Sequence, residues 1–267
     1  MDVLINADRA YLKGLAVTIE SLLAHATSPC RIHLALNGID DRLRSALAAQ
    51  WRDHPQLARL YIDNLDHVPA VYRGNCHFSR AAYGKVSLPS RFKRCSGRLL
   101  LLDPDTIVMC DVCELECVDL GDSILSAADN PGQHGFNSGV LVVNLPNWYA
   151  ADVEQQMLDS WLADPLVANA EQDLLHRVVP ASRIHWIERT WNVIPHAWER
   201  DQPAIVHCVG GRKPWHGDYD RTNGVQEIFY AHLDRTFLKG QREVAILGLS
   251  SLRRRWNKLR ILLEHAA

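Results

Sequence analysis

The stretch Leu99–Leu102 constrains the fold of this 267-residue chain more than any other. Successive side chains of a strand point to opposite faces, so four leucines in a row leave neither face polar. Such a run belongs in the middle of a sheet covered on both sides, as in the central strand of a parallel sheet. The run stops abruptly at Asp103-Pro104-Asp105. In open α/β sheets ligands gather at the carboxyl ends of strands, and two carboxylates placed there repel unless a cation lies between them.

The flanking sequence supports that architecture. DVLINAD, RIHLALNGI and ARLYIDNL read as strands, and LKGLAVTIESLLAHA and DDRLRSALAAQW between them carry helical periodicity. Strand alternating with helix predicts an open α/β sheet with right-handed crossovers. Downstream, GVLVVNL follows Phe136-Asn137-Ser138 as a further apolar run, VEQQMLDSWLA and EQDLLHRVV read as helices, and AIVHCVGG is a last strand turning into RKPWHG. There is no repeat, low-complexity stretch or clear linker. The simplest partition is one domain over 1–248 and a basic amphipathic helix over 249–267.

Composition narrows the possible functions. Formal net charge is −2 and hydrophobic residues make up 47%, values of a globular protein with a core and without the basic excess of a nucleic-acid binder. No apolar run is long enough to cross a bilayer, and no basic segment precedes the short apolar start, so a cytoplasmic protein is expected. Seven cysteines argue against a disulfide framework. Cys110, Cys113 and Cys117 lack the fourth ligand of a zinc knuckle, which favours small hydrophobes after a strand. In the tail, Arg253, Arg254, Arg255, Lys258 and Arg260 alternate with Trp256, Leu259, Ile261, Leu262 and Leu263. That pattern suits either a helix on an anionic membrane surface or one docked on the core.

Two motifs carry chemistry. Asp103 and Asp105 suit a hard divalent ion that can also hold a diphosphate. In HCVGGRKPWHG, His207 could complete a mixed oxygen and imidazole site compatible with manganese. Gly210 and Gly211 allow close backbone approach, and Lys213 offers a compact charge for phosphate oxygens. The competing readings are a solvated turn for the aspartates and a stray surface histidine for His207.

Taken in order, DVLINADRAY, YGKVSL, LLLDPDTIV, FNSGVLVVNL, EQDLL and HCVGGRKPWH resemble glycosyltransferase family eight, of the bacterial lipopolysaccharide galactosyltransferase and glucosyltransferase type, over most of the chain. The resemblance implies a single Rossmann-like, GT-A-type nucleotide-diphospho-sugar transferase domain with a mostly parallel sheet. It implies a retaining enzyme that moves a hexose from a UDP-sugar to a saccharide or glycolipid, peripheral at the inner face of the cytoplasmic membrane. Asp103, Asp105 and His207 match the metal ligands, for Mn2+ or Mg2+. Ala7 and Asp8 match the uracil end, and Gly210 and Lys213 the pyrophosphate contacts. Asn137 and Ser138 match hexose or acceptor contacts. Gln172 falls under the reacting sugar face, flanked by Glu171 and Asp173. Gln172 is a poor nucleophile, which favours front-face attack by the acceptor; a covalent route would need Glu171 or Asp173.

The chain departs from that pattern in four places. Ala10 stands where relatives often carry a polar residue, and Lys85 stands for an arginine that would contact the donor. Glu171 stands for an aspartate, and Pro195 to His207 is short for an acceptor-covering loop. Ala10 and the short loop keep open a nucleotide-sugar-binding protein without efficient transfer, and the same aspartates would serve a metal-dependent nucleotide-sugar hydrolase.

Overall fold

A computed structural model describes residues 1–65, 68–72, 79–87, 92, 97–129, 135–197, 202–219 and 223–242. The proposed basic helix over 249–267 lies outside the described residues. Among the described residues nine strands are present: β1 Asp2–Asp8, β2 Cys30–Asn37, β3 Leu57–Asn64, β4 Arg98–Leu102, β5 Thr106–Val108, β6 Leu125–Asp129, β7 Phe136–Asn144, β8 Ile184–Ile187 and β9 Ile205–His207. The α-helices are α1 Leu12–His25, α2 Asp41–Gln50, α3 Gly84–Ser87, α4 Cys113–Cys117, α5 Leu145–Ala150, α6 Val153–Ala163, α7 Glu171–Val178 and α8 Val225–Leu233.

Seven strands form one sheet in the order β3-β2-β1-β4-β7-β6-β8, and β5 and β9 form a separate antiparallel ribbon. In the main sheet β1, β2, β3 and β4 run parallel, as do β6 and β8, while β7 runs against both its neighbours. The sheet is thus mostly parallel, as expected, but β4 sits at the seam between a parallel and an antiparallel partner. Its four leucines reflect helices on both faces and say nothing about the direction of its neighbours. Leu100 and Leu102 pack with Val3, Ile5, Val140 and Val142 beneath α1, whereas Leu99 and Leu101 pack with Leu4, Leu141 and Val143 beneath α5, α6 and α7. That two-residue alternation is the pleat of a sheet buried on both sides.

Helix α1 is buried nearly all round, which explains its apolar sequence. Its two buried hydroxyls serve the ribbon. Thr18 Oγ1 donates to the Thr106 carbonyl at 2.8 Å, and Ser21 Oγ accepts from the Val108 N–H at 3.0 Å. The edge of β5 is therefore satisfied by side chains instead of a third strand. Gly14 lets α1 approach the Asp103-Pro104-Asp105 turn, since a Cβ there would lie 2.2 Å from the Pro104 carbonyl oxygen. No helix among the described residues is long and apolar enough to cross a membrane.

Candidate active site

The topology gathers chemistry at one end of the sheet. β1 and β4 deliver Asp8 and Asp103 at their carboxyl ends. Because β7 runs the other way, it begins there and brings Asn137 and Ser138 with it. The Asp103 N–H donates to the Gly139 carbonyl at 2.8 Å, locking the two together. The ribbon does the rest. Thr106 pairs with His207, and the Cys208 N–H donates to the Asp105 carbonyl at 2.9 Å, so a histidine 102 positions downstream (207 − 105) stands beside the aspartates.

Asp103, Asp105 and His207 each offer one ligand atom, and these lie within 4.8 Å of one another. His207 Nε2 is 3.4 Å from Asp103 Oδ2 and 3.3 Å from Asp105 Oδ1. The other oxygen of each carboxylate faces a buried lysine. Asp103 Oδ1 lies 2.5 Å from Lys85 Nζ, and Asp105 Oδ2 accepts from Lys213 Nζ. Burial alone would raise both carboxyl pKa values, but Lys85 and His207 beside Asp103, and Lys213 and His207 beside Asp105, hold them below the usual range. Burial alone would lower the His207 pKa, yet Asp105 and Asp103 raise it to about 9.

The orientation of the imidazole is set from behind. Asn192 Nδ2 donates to the Asn137 carbonyl at 3.1 Å and to Asn137 Oδ1 at 3.2 Å. The same amide therefore turns Oδ1 toward His207 Nδ1, 3.1 Å away. An oxygen acceptor there requires Nδ1 to carry a proton, leaving Nε2 to face the carboxylates. A histidine ligand with its outer nitrogen so anchored, plus two carboxylate oxygens, fits a divalent cation. Gly139 is required by the same arrangement, since a Cβ would lie 2.1 Å from the His207 ring.

These groups open on a pocket of about 430 Å³. Ala7, Asp8, Asn137, Ser138, Glu171, Gln172, Gly210 and Lys213 line it together with the three ligand candidates. Gly210 does so with φ +85, a conformation that favours glycine. Lys85 and Asp173 are not among the lining residues. Lys85 is 1% exposed and gives its ammonium to Asp103, to the Ser138 carbonyl at 2.7 Å and to Glu171 Oε1 at 3.3 Å. It braces the wall, whereas the resemblance implied a donor contact at this position. Glu171 also accepts from Ser138 Oγ at 2.9 Å, and its carboxyl is raised by burial and by Asp103 more than Lys85 lowers it. Gln172 Oε1 accepts from the Ser138 N–H at 3.0 Å, which fixes the amide and leaves its oxygen a second lone pair. Asp173 turns its carboxylate to the preceding loop.

Several contributors escape sequence reading. Asn6, Tyr11 and Ile194 also line the pocket, and Asn192 stands behind it. Tyr11 meets Trp215 edge to face at 5.6 Å between centroids. Tyr11 lies in DVLINADRAY and Trp215 in RKPWHG, so both were within reach of the motifs. Asn192 had no such signal, being one polar residue in an aperiodic stretch. Cys110, Cys113 and Cys117 form no metal-ligating group among the described residues.

Fold and site together define a GT-A-type α/β protein carrying an Asp-x-Asp turn and a remote histidine. The chain belongs to glycosyl transferase family 8, whose family model matches residues 2–218. It is 23% identical over 176 residues to General stress protein A of Bacillus subtilis, covering 53% of this chain and 61% of that protein. With lipopolysaccharide 1,3-galactosyltransferase of Salmonella typhimurium it shares 22% over 245 residues, covering 78% of this chain and 71% of that one. The galactosyltransferase LgtC, solved with donor and acceptor sugar analogues, superposes with a TM-score of 0.75 at 24% identity over 89% of this chain and 96% of LgtC. The chain thus spans about three fifths of the length of the Bacillus subtilis protein, and its Asp103, Asp105 and His207 cluster has a donor set suited to a divalent cation.

Proposed function

We propose that the protein transfers a hexose, galactose or glucose, from a UDP-sugar to a saccharide or glycolipid acceptor with retained configuration, using Mn2+ or Mg2+. What carries the reading is the convergence of Asp103 Oδ2, Asp105 Oδ1 and His207 Nε2 in a pocket that Glu171 and Gln172 also line. A divalent cation held by those three atoms would stabilise the negative charge that grows on a departing diphosphate. Lys213, now on Asp105, is placed to share that charge. Ala7, Asp8 and Tyr11 form the nucleotide end, and Gly210 leaves the pyrophosphate room. Asn137, Ser138 and Glu171 serve the sugar hydroxyls.

In the transfer, the bond from the anomeric carbon to the diphosphate oxygen breaks as the acceptor oxygen bonds to the same face. The acceptor proton passes to the departing phosphate oxygen. Gln172, a neutral amide, offers its carbonyl lone pair to the positive charge developing at the sugar without attacking it. The basic segment over 249–267 holds the enzyme at an anionic membrane surface, on the cytoplasmic side, where a glycolipid acceptor would be met.

The reading is tested by UDP release from UDP-galactose and UDP-glucose with manganese, with and without a panel of saccharide acceptors. Release that depends on acceptor is the expected result. Equal release without acceptor identifies a hydrolase, and binding without release identifies a nucleotide-sugar-binding protein.

A further inference from the structure

The backbone just before Glu171 and Gln172 is strained. Ala170 has φ +50 and ψ −124, and the Gln172 N–H donates to the Asn169 carbonyl at 3.1 Å. Asn169 to Gln172 is therefore a β-turn with Ala170 at the position of a type II′ turn where glycine dominates. A side chain there is disfavoured and persists only where its surroundings impose the conformation. Ala170 is fully buried, its methyl group packed into the core that also holds Leu174 and Leu175.

One residue supplies most of the polar constraint. Asp173 Oδ2 accepts from the Ala168 N–H at 2.7 Å and from the Asn169 N–H at 2.9 Å, and Oδ1 accepts from Asn169 Nδ2 at 3.0 Å. Three donors of the incoming loop are thus tied to the first turn of α7. Asn169, Glu171 and Gln172 line the pocket, whereas Asp173 does not.

We propose that Asp173 is a positioning residue: its carboxylate clamps the strained Asn169–Gln172 turn and so aims Glu171 and Gln172 at the reacting sugar. The proposal rests on the transfer reading of the site. It differs from a role as nucleophile or as a charge beside the sugar, because it acts through the backbone of Ala170. Removing the clamp lets the turn relax toward negative φ and rotates Gln172 off its target. Glycine at 170 accepts the turn without strain and makes the clamp less necessary.

The test is a two-by-two set: wild type, Asp173→Ala, Ala170→Gly and the double variant, each checked for a cooperative thermal transition. Asp173→Ala should lower kcat for sugar transfer on the order of 10²-fold, the scale of a misplaced reacting group. Its affinity for UDP, none of whose proposed contacts hydrogen-bonds to Asp173, should stay within threefold. The double variant should recover at least tenfold of the lost kcat. A double variant no faster than Asp173→Ala would overturn the proposal, because glycine cannot replace a reacting carboxylate. Amide exchange gives a readout independent of activity. The Gln172 amide should exchange at least tenfold faster in Asp173→Ala and slow again in the double variant; unchanged exchange in Asp173→Ala also overturns the clamp. If the wild-type protein turns over no UDP-sugar, the transfer reading fails, and the exchange data still decide the clamp. Should Asp173→Ala fail to fold, the same comparison is made with Asp173→Asn, which loses one of the two acceptor oxygens.

Discussion

Gly139 shows how far a single residue can reach in this site. It lies in β7, yet the space beside it belongs to the ring of His207. Gly139→Ala should displace the imidazole from Asp103 and Asp105. It should destabilise the fold by roughly 1–3 kcal/mol, as overpacking of a core does, and weaken manganese binding at least tenfold. Calorimetric titration of manganese at wild-type affinity would contradict the assigned position of His207. Gln172 makes a complementary case. Gln172→Ala removes an interaction that strengthens as positive charge builds, so kcat should fall while donor affinity holds. If titration and turnover show the reverse, a weaker donor complex with undiminished saturated turnover, Gln172 is not beneath the reacting carbon. The motifs holding these residues were legible because each is local: Asp103 and Asp105 end an apolar strand, and His207 ends another. The partners were not. Asn192 acts through a contact 15 positions away, and Lys85 looks like a ligand in sequence but is buried behind the wall. Side-chain direction is a tertiary property that local pattern does not encode.

At the scale of elements, strand type was readable and strand direction was not. Long periodic segments such as β1, α1 and β2 match their predicted extents because burial on both faces leaves a clear pattern. The short strands β5, β6 and β8 are too brief to show a period. The antiparallel β7 is a continuous apolar run like that of a buried parallel strand, yet its direction is what places Asn137 and Ser138 at the site. Pairing of the first two strands rests on a buried carboxylate. Arg31 donates from Nε to Asp2 Oδ1 at 2.8 Å and from Nη2 to Oδ2 at 2.6 Å, and His33 Nε2 lies 2.9 Å from Oδ1. Burial alone would raise the Asp2 pKa, but Arg31 and His33 carry it well below the usual carboxylate range. A pKa lower in the folded than in the unfolded state stabilises above the unfolded value, near 4, and that stabilisation fades as pH falls further. Asp2→Asn should therefore cost about 2 kcal/mol at pH 7, with the gap to wild type narrowing below pH 4. Denaturant unfolding at several pH values checks this; a gap that stays constant or widens in acid would show that the charge is not the source.

For the whole molecule, the proposed function combines a basic tail held at a membrane with a cation-dependent pocket. If the segment over 249–267 meets an anionic surface, replacing Arg253, Arg254 and Arg255 by glutamate should abolish sedimentation with phosphatidylserine vesicles and leave turnover of a soluble acceptor intact. Unchanged sedimentation would remove the tail from the account. The most direct test of the central claim is calorimetric titration of UDP into the protein with manganese and with chelator, for wild type and Asp105→Asn. A cation held by Asp103, Asp105 and His207 should tighten UDP binding to wild type at least tenfold over chelator, and should lose that advantage in Asp105→Asn, which keeps the side-chain size but removes a ligand charge. Equal affinity of the wild-type protein for UDP in manganese and in chelator would contradict the site as described.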